Sequence, residues 1–146
     1  MELHSASFED GGEIADKYGK KFENISPQLS WSGLPSGTRS LAIAMVDLHP
    51  IARGYVHWIV IGIAPVVTSL AEGAAATGMP AGSREPAPYA GPFPPSGTHE
   101  YEFTLYALDA EPPSATGATL RQFLEAVEGS ILATARLTGT FTRGNE

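Results

Sequence analysis

The chain has 146 residues, and its 9 basic and 16 acidic side chains leave a formal net charge of −7. A chain of that balance lacks the clustered Lys and Arg that a nucleic-acid backbone demands, and the want of any cysteine removes disulfides, thiolate metal sites, iron–sulfur clusters and cysteine nucleophiles together. With 42% apolar and 17% charged residues, the composition is globular, and the length is that of one domain spanning 1–146.

The start, Met1-Glu2-Leu3-His4-Ser5, has neither a basic segment nor an apolar run, so no secretory signal is read and a cytoplasmic setting is expected. Asn24-Ile25-Ser26 matches the glycosylation triplet, but Pro27 follows it and the match is read as coincidence. Leu41–Val46 is a short apolar run stopped by Asp47 and Pro50. Val56–Ile63, rich in β-branched residues, is stopped by Pro65 and falls far short of the ~20 residues a membrane helix needs. Both read as central strands buried on both faces. Residues 71–97 are rich in Ala, Gly and Pro without periodicity, and a segment of that kind is expected to be functional or mobile. In Glu100–Leu108, Tyr101, Phe103, Leu105 and Ala107 share one face of a further strand. Thr119 and Gln122 fit a capping box before the stripe Leu120, Phe123, Leu124 and Val127, which predicts a helix over 120–128. A further turn is expected over Ile131–Ala135, and alternation of Leu137, Gly139 and Phe141 predicts a last strand over 135–142. The sum is a mainly antiparallel β-sandwich with one or two short helices near the C-terminus.

The phosphate-binding glycine loops, the Gly-x-Ser-x-Gly elbow and the His-Glu-x-x-His metal helix are all absent. What remains is a set of polar residues at the ends of buried strands. Asp47 closes one strand, His57 opens another on the parity of Ile59, Ile61 and Ile63, and His99 and Tyr101 share one side of a third. A carboxylate that orients an imidazole, with ring N–H groups as donors, suits an anionic head group. Each residue also has a plainer reading. A lone histidine on an apolar face is most often a hydrogen-bonded core residue, and Asp47 before a proline-containing turn most often caps that turn. A metal site at Asp47, His49 and a second histidine lacks the close ligand pair on a helix that would support it, so neither metal nor cofactor is assigned.

In order along the chain, these segments resemble the phosphatidylethanolamine-binding protein family in its compact prokaryotic form. Asn24 to Trp31 is similar to the pattern N-x-S-P-x-L-x-W, and Pro35 to Leu41 to P-x-G-T-[KR]-S-[LF]. Gly54 to Val60 resembles G-W-x-H-W-[VL]-V, and Gly91 to Tyr106 the run G-P-x-P-P-x-G-x-H-x-Y-x-F-x-L-Y. The resemblance implies a β-sandwich with a small anion pocket built from Asp47, His57, Pro94, Pro95, His99 and Tyr101, with Tyr55 where the family usually has Trp. Pro92, Pro94 and Pro95 are then expected to form a rigid wall. The chain departs from the family at Leu48-His49-Pro50, where a second acid is lost and an imidazole gained, at Glu100 for Arg, at Gly62 for Asn, and in the loop 81–86.

The function the resemblance implies is non-enzymatic binding of a phosphorylated or carboxylated group or a phospholipid head. Two alternatives stand beside it. One is an inhibitor of a kinase or protease, as some family members are; the other is an enzyme that has recruited Asp47, His49, His57 and His99 as acid and base. No nucleic acid is expected as a partner, and a homodimer stays open.

Overall fold

The computed structural model describes residues 1–142. Its strands are β1 (Glu2–His4), β2 (Gly12–Glu13), β3 (Leu29–Ser32), β4 (Ser40–Asp47), β5 (Val56–Ile63), β6 (Ser69–Leu70), β7 (Arg84–Ala87), β8 (Thr98–Leu108) and β9 (Ile131–Thr142). Two α-helices accompany them, α1 (Ala74–Thr77) and α2 (Leu120–Val127), with 3-10 turns at Asp16–Tyr18 and Pro50–Ala52. The large sheet runs β2-β9-β8-β4-β5-β7 and the small one β1-β3-β6. Every pairing is antiparallel except β2 with β9.

The apolar runs make the centre. β4 lies between β8 and β5, and its residues from Ser40 to Met45 are buried on both faces, as an uninterrupted apolar strand must be. One face of the large sheet, with Leu41, Ile43, Met45, Trp58, Phe103 and Leu105, packs on Leu3, Leu29, Trp31 and Leu70 of the small sheet. Its other face, with Ala42, Ala44, Ile59, Ile61 and Tyr106, packs on Phe123 and Val127 of α2. The helix starts where expected, because Thr119 accepts from the Gln122 amide at 3.1 Å and its own amide donates to the Gln122 side chain at 3.2 Å.

Two sequence expectations need correction. Ile131–Ala135 is no turn; it extends β9 and pairs with Leu108 through Leu105 of β8. Residues 71–97 are not structureless either. They hold α1 and β7, whose Ile59–Ala87 and Ile61–Arg84 pairings make it the edge of the large sheet. Pro86 removes a ladder donor there, tolerable only at an edge, and it masks the alternation that would have betrayed a strand.

Gly139 lets β9 pass close to the segment between β1 and β3 that carries Phe8 and Ile14. A Cβ at this position would stand 2.7 Å from Ile14 Cγ1 and 2.9 Å from the Phe8 ring. Gly139→Ala is therefore expected to destabilise the fold by about 1–3 kcal/mol through overpacking. Gly129→Ala, whose Cβ would meet nothing within 4 Å, is the matched control and should be close to neutral. Urea unfolding of the two variants checks the difference.

Candidate functional site

The site lies at one end of the large sheet. Strand register sets its floor, since Asp47 pairs with Tyr101 across β4 and β8, and His99 follows two residues away on the same face of β8. The Asp47 backbone is bonded to both neighbours: its amide donates to Tyr55 O at 3.1 Å, and the Leu48 amide to Glu100 O at 2.8 Å. Its buried carboxylate accepts from His99 Nδ1 at 2.6 Å and from the His49 amide at 2.8 Å. A carboxylate can only accept here, so Nδ1 of His99 carries a hydrogen and Nε2 is the nitrogen left for another partner.

His57 reaches the same floor by an irregularity. Val46 pairs with Val56 and Met45 with Trp58, so two residues of β5 oppose one step of β4. Strict alternation would have sent His57 with Ile59 and Ile61 toward α2. The bulge turns it instead onto the ring of Tyr101, 5.1 Å away edge to face. A second shift lies near the other end of β5, where Gly62 has φ +74°, and it returns Ile63 to the inter-sheet core. Asn, the usual family residue at that point, is among the side chains that best tolerate such a φ.

A reciprocal clamp holds His57. Its Nδ1 donates to Ala90 O at 2.6 Å, and the Ala90 amide donates to His57 O at 2.8 Å. The clamp is anchored in turn: the Gly91 amide donates to Asn24 Oδ1 at 2.7 Å, and the Tyr89 hydroxyl to Tyr18 O at 2.8 Å. A Cβ at Gly91 would lie 1.9 Å from Tyr18 O, so only glycine permits this contact. Burial lowers the pKa of His57 below its ordinary value, with Lys20 acting the same way, while the Ala90 and Gly91 carbonyls and Asp47 oppose the shift. Burial, followed by the Asp47 carboxylate, pushes the ionisation of Tyr101 up, so it stays a phenol. The Tyr101 hydroxyl is buried and makes no hydrogen bond of ordinary geometry among the described residues.

A cavity of about 420 Å³ opens over this floor, lined by Lys20, Asp47, Ile51, Ala52, Tyr55, His57, Ala90, Phe93, Pro95 and His99. Of the residues named from the sequence, Asp47, Tyr55, His57, Pro95 and His99 line it. Tyr101 sits against both imidazoles without lining the cavity, and Pro94 is buried beside it, so the Gly91–Pro95 stretch presents Phe93 and Pro95. His49 braces the site. Its ring lies flat on His99 with centroids 4.0 Å apart, and its Nδ1 accepts from the Ile51 amide at 3.2 Å, capping the Pro50–Ala52 turn on the rim. Glu100 follows strand alternation to the other face of β8 and is exposed. Sequence reasoning missed Lys20, Ile51, Ala52, Ala90 and Phe93. Nothing local marks Lys20 as part of a site, or a carbonyl such as that of Ala90. No group of three His, Cys, Asp or Glu among the described residues could hold a metal ion.

The phosphatidylethanolamine-binding protein family model matches residues 4–142. The chain belongs to this family. It is 40% identical to the UPF0098 protein of Methanothermobacter thermautotrophicus, over 99% of this chain and 100% of that one. The UPF0098 protein of Chlamydia muridarum is 42% identical over 97% and 98% of the two chains. Among solved structures, the family homologue CT736 of Chlamydia trachomatis superimposes with a TM-score of 0.85 at 36% identity, covering 98% of this chain and 97% of that one. YbcL of Escherichia coli gives 0.89 at 27% identity, with 98% of each chain covered. A relative from Mycobacterium tuberculosis, 40% identical over 97% of this chain and 72% of its own, carries the word lipoprotein in its name. No helix among the described residues is long and apolar enough to cross a membrane.

The lowered pKa of His57 makes a signed prediction. The unfolded chain protonates this imidazole first, so its contribution to stability is complete above the ordinary range near ~6.5 and is lost as pH falls below it. Urea midpoints at about pH 7.5 and about pH 5.5 should therefore converge more in His57→Gln than in the unaltered protein. An equal pH slope in both would show that burial does not disfavour the charged ring.

Proposed function

We infer that this protein is a binding module for a small oxyanion, held as a phosphorylated or carboxylated group at the floor of the Asp47/His57/His99 cavity. One observation carries the reading. Two buried imidazoles meet at one cavity, each with its Nδ1 hydrogen committed to a fixed acceptor, Asp47 for one and Ala90 O for the other. Each therefore offers a ligand its Nε2, which is a donor only when the ring is protonated. Burial favours the uncharged form of His57, so an anion that binds there must draw a proton onto the ring. Binding and proton uptake are then one event. Lys20 on the wall supplies a positive charge, and both Asp47 oxygens are engaged by His99 and the His49 amide. A phospholipid head group is one source of such an oxyanion. The cytoplasmic setting expected from the sequence belongs to this proposal, with the lipoprotein-named relative as the counter-example that cell fractionation must meet.

Calorimetry with inorganic phosphate, and with sulfate as a probe that brings no proton of its own, tests the reading. Affinity should rise as pH falls from about 8 to about 6, with protons taken up on binding. His57→Ala or His99→Ala should each weaken binding by roughly 1.5–3 kcal/mol, the scale of a hydrogen bond to a charged group. Asp47→Asn should weaken binding as well, because His99 then loses the carboxylate that accepts from its Nδ1 and fixes the ring's orientation. Equal affinity in all four proteins would place the anion elsewhere and leave the polar cluster structural.

A further inference from the structure

Hydrogen bonding along the outer edge of β9 stops halfway. In its C-terminal half the edge is engaged: the Thr138 amide donates to Asp10 Oδ1 at 2.9 Å, and Thr138 O and Thr140 O accept from the Gly11 and Ile14 amides at 2.8 and 2.7 Å. These bonds show which residues turn their amide and carbonyl away from β8. The β8–β9 register runs without a shift from Thr142 back to Ala133, so a period of two gives Arg136 and Thr134 the outward orientation of Thr138. Nothing among the described residues bonds them there, since β2 pairs only with Gly139 and Thr140.

A row of unpaired N–H and C=O groups is a template for another strand, and sheets ordinarily blunt it with proline or charge. The opposite edge of this sheet is blunted, for β7 carries Arg84, Glu85 and Pro86 in four residues. The open stretch Ile131–Leu137 has no proline and no acid. Five of its seven residues are apolar, with Ile131 and Leu132 37% and 40% exposed. Its one charge, Arg136, leans toward β8, with Nε 3.7 Å from Glu102 Oε1, and so away from the edge.

We propose that this edge docks a second copy of the chain, two β9 strands pairing antiparallel about Thr134 to join the large sheets of two molecules. Self-pairing fits the length of the opening. Centred on Thr134, Ile131 of one copy faces Leu137 of the other, so neither strand runs into the half held by Asp10–Ile14. Leu132 then lies against the stem of Arg136 in the other copy, which covers an apolar side chain now in water. Charge agrees with a second copy as the occupant. Salt screens charges beyond roughly 8 Å, so two chains of net charge −7 can meet only where acids are locally absent, as they are along this stretch. Ile131 pairs with Leu108, and Leu108 with Ser40, so the opening lies at the end of the sheet away from Asp47. The proposal is therefore independent of the anion reading.

Sedimentation velocity on the full chain between about 1 and about 500 μM tests it, because a dimer must follow mass action. The mass should rise with concentration toward twice the 15.4 kDa of one chain. Leu132→Lys sets like charges opposite each other across the pairing and should return the single-chain mass. Val66→Lys, at a site 85% exposed and outside β9, should not. Urea midpoints confirm that both variants fold. Amide exchange locates the contact: Thr134 and Arg136 should slow as concentration rises, while Thr138, already bonded to Asp10, stays protected throughout. A single-chain mass over the whole range overturns the proposal. A dimer in which the Thr134 and Arg136 amides exchange no more slowly is joined by another face and overturns it equally.

Discussion

A carboxylate taken out of water must be met by donors, or the strand that carries it cannot stay buried. Asp47 meets that demand at the end of β4, the central strand of the large sheet. His99 answers it from β8 at 2.6 Å and the His49 amide from the following turn at 2.8 Å. Much of the site follows from this pair. The register that aligns Asp47 with Tyr101 brings His99 alongside, and His49 stacks on His99 as a consequence of the turn its own amide secures. The resulting imidazole is fixed at Nδ1 and available at Nε2.

The second imidazole depends on backbone irregularity rather than on a charge. Without the bulge opposite Met45 and Val46, His57 would join the face that packs on α2, and the cavity would have one histidine. The clamp to Ala90 then fixes its tautomer, and the contact of Gly91 with Tyr18 O fixes the clamp. Local strand chemistry, a glycine without a side chain and a buried hydrogen bond thus converge on one nitrogen. Since burial favours the neutral ring, the proposed binding of an oxyanion there requires a proton to be taken up.

The strands at the heart of the fold were legible because their composition leaves one solution: Leu41–Val46 and the centre of β5 are apolar on both faces, and β8 alternates. Helix α2 was legible from its capping box. What stayed hidden is non-local. The assignment of His57 to the face of Ile59 and Ile61 followed a period of two that the bulge breaks, and β7 carries a proline where a pattern would be sought. Ile131–Ala135 looked like a turn because its burial depends on β8, far away in sequence. The site was legible in its floor, where the residue types speak for themselves. Its rim was not, since Lys20, Ile51 and Phe93 acquire meaning only when three separate loops close over one opening.

The central claim is that an oxyanion in this cavity draws a proton onto Nε2 of His57, whose burial favours the neutral ring. Histidine-selective 15N NMR at about pH 7, recorded as sulfate is added, tests it most directly. The account predicts that the Nε2 resonance of His57 moves to the protonated position as the site fills, while that of exposed His4 stays unchanged. Saturation of the protein with sulfate while the His57 Nε2 resonance remains where it began would contradict it.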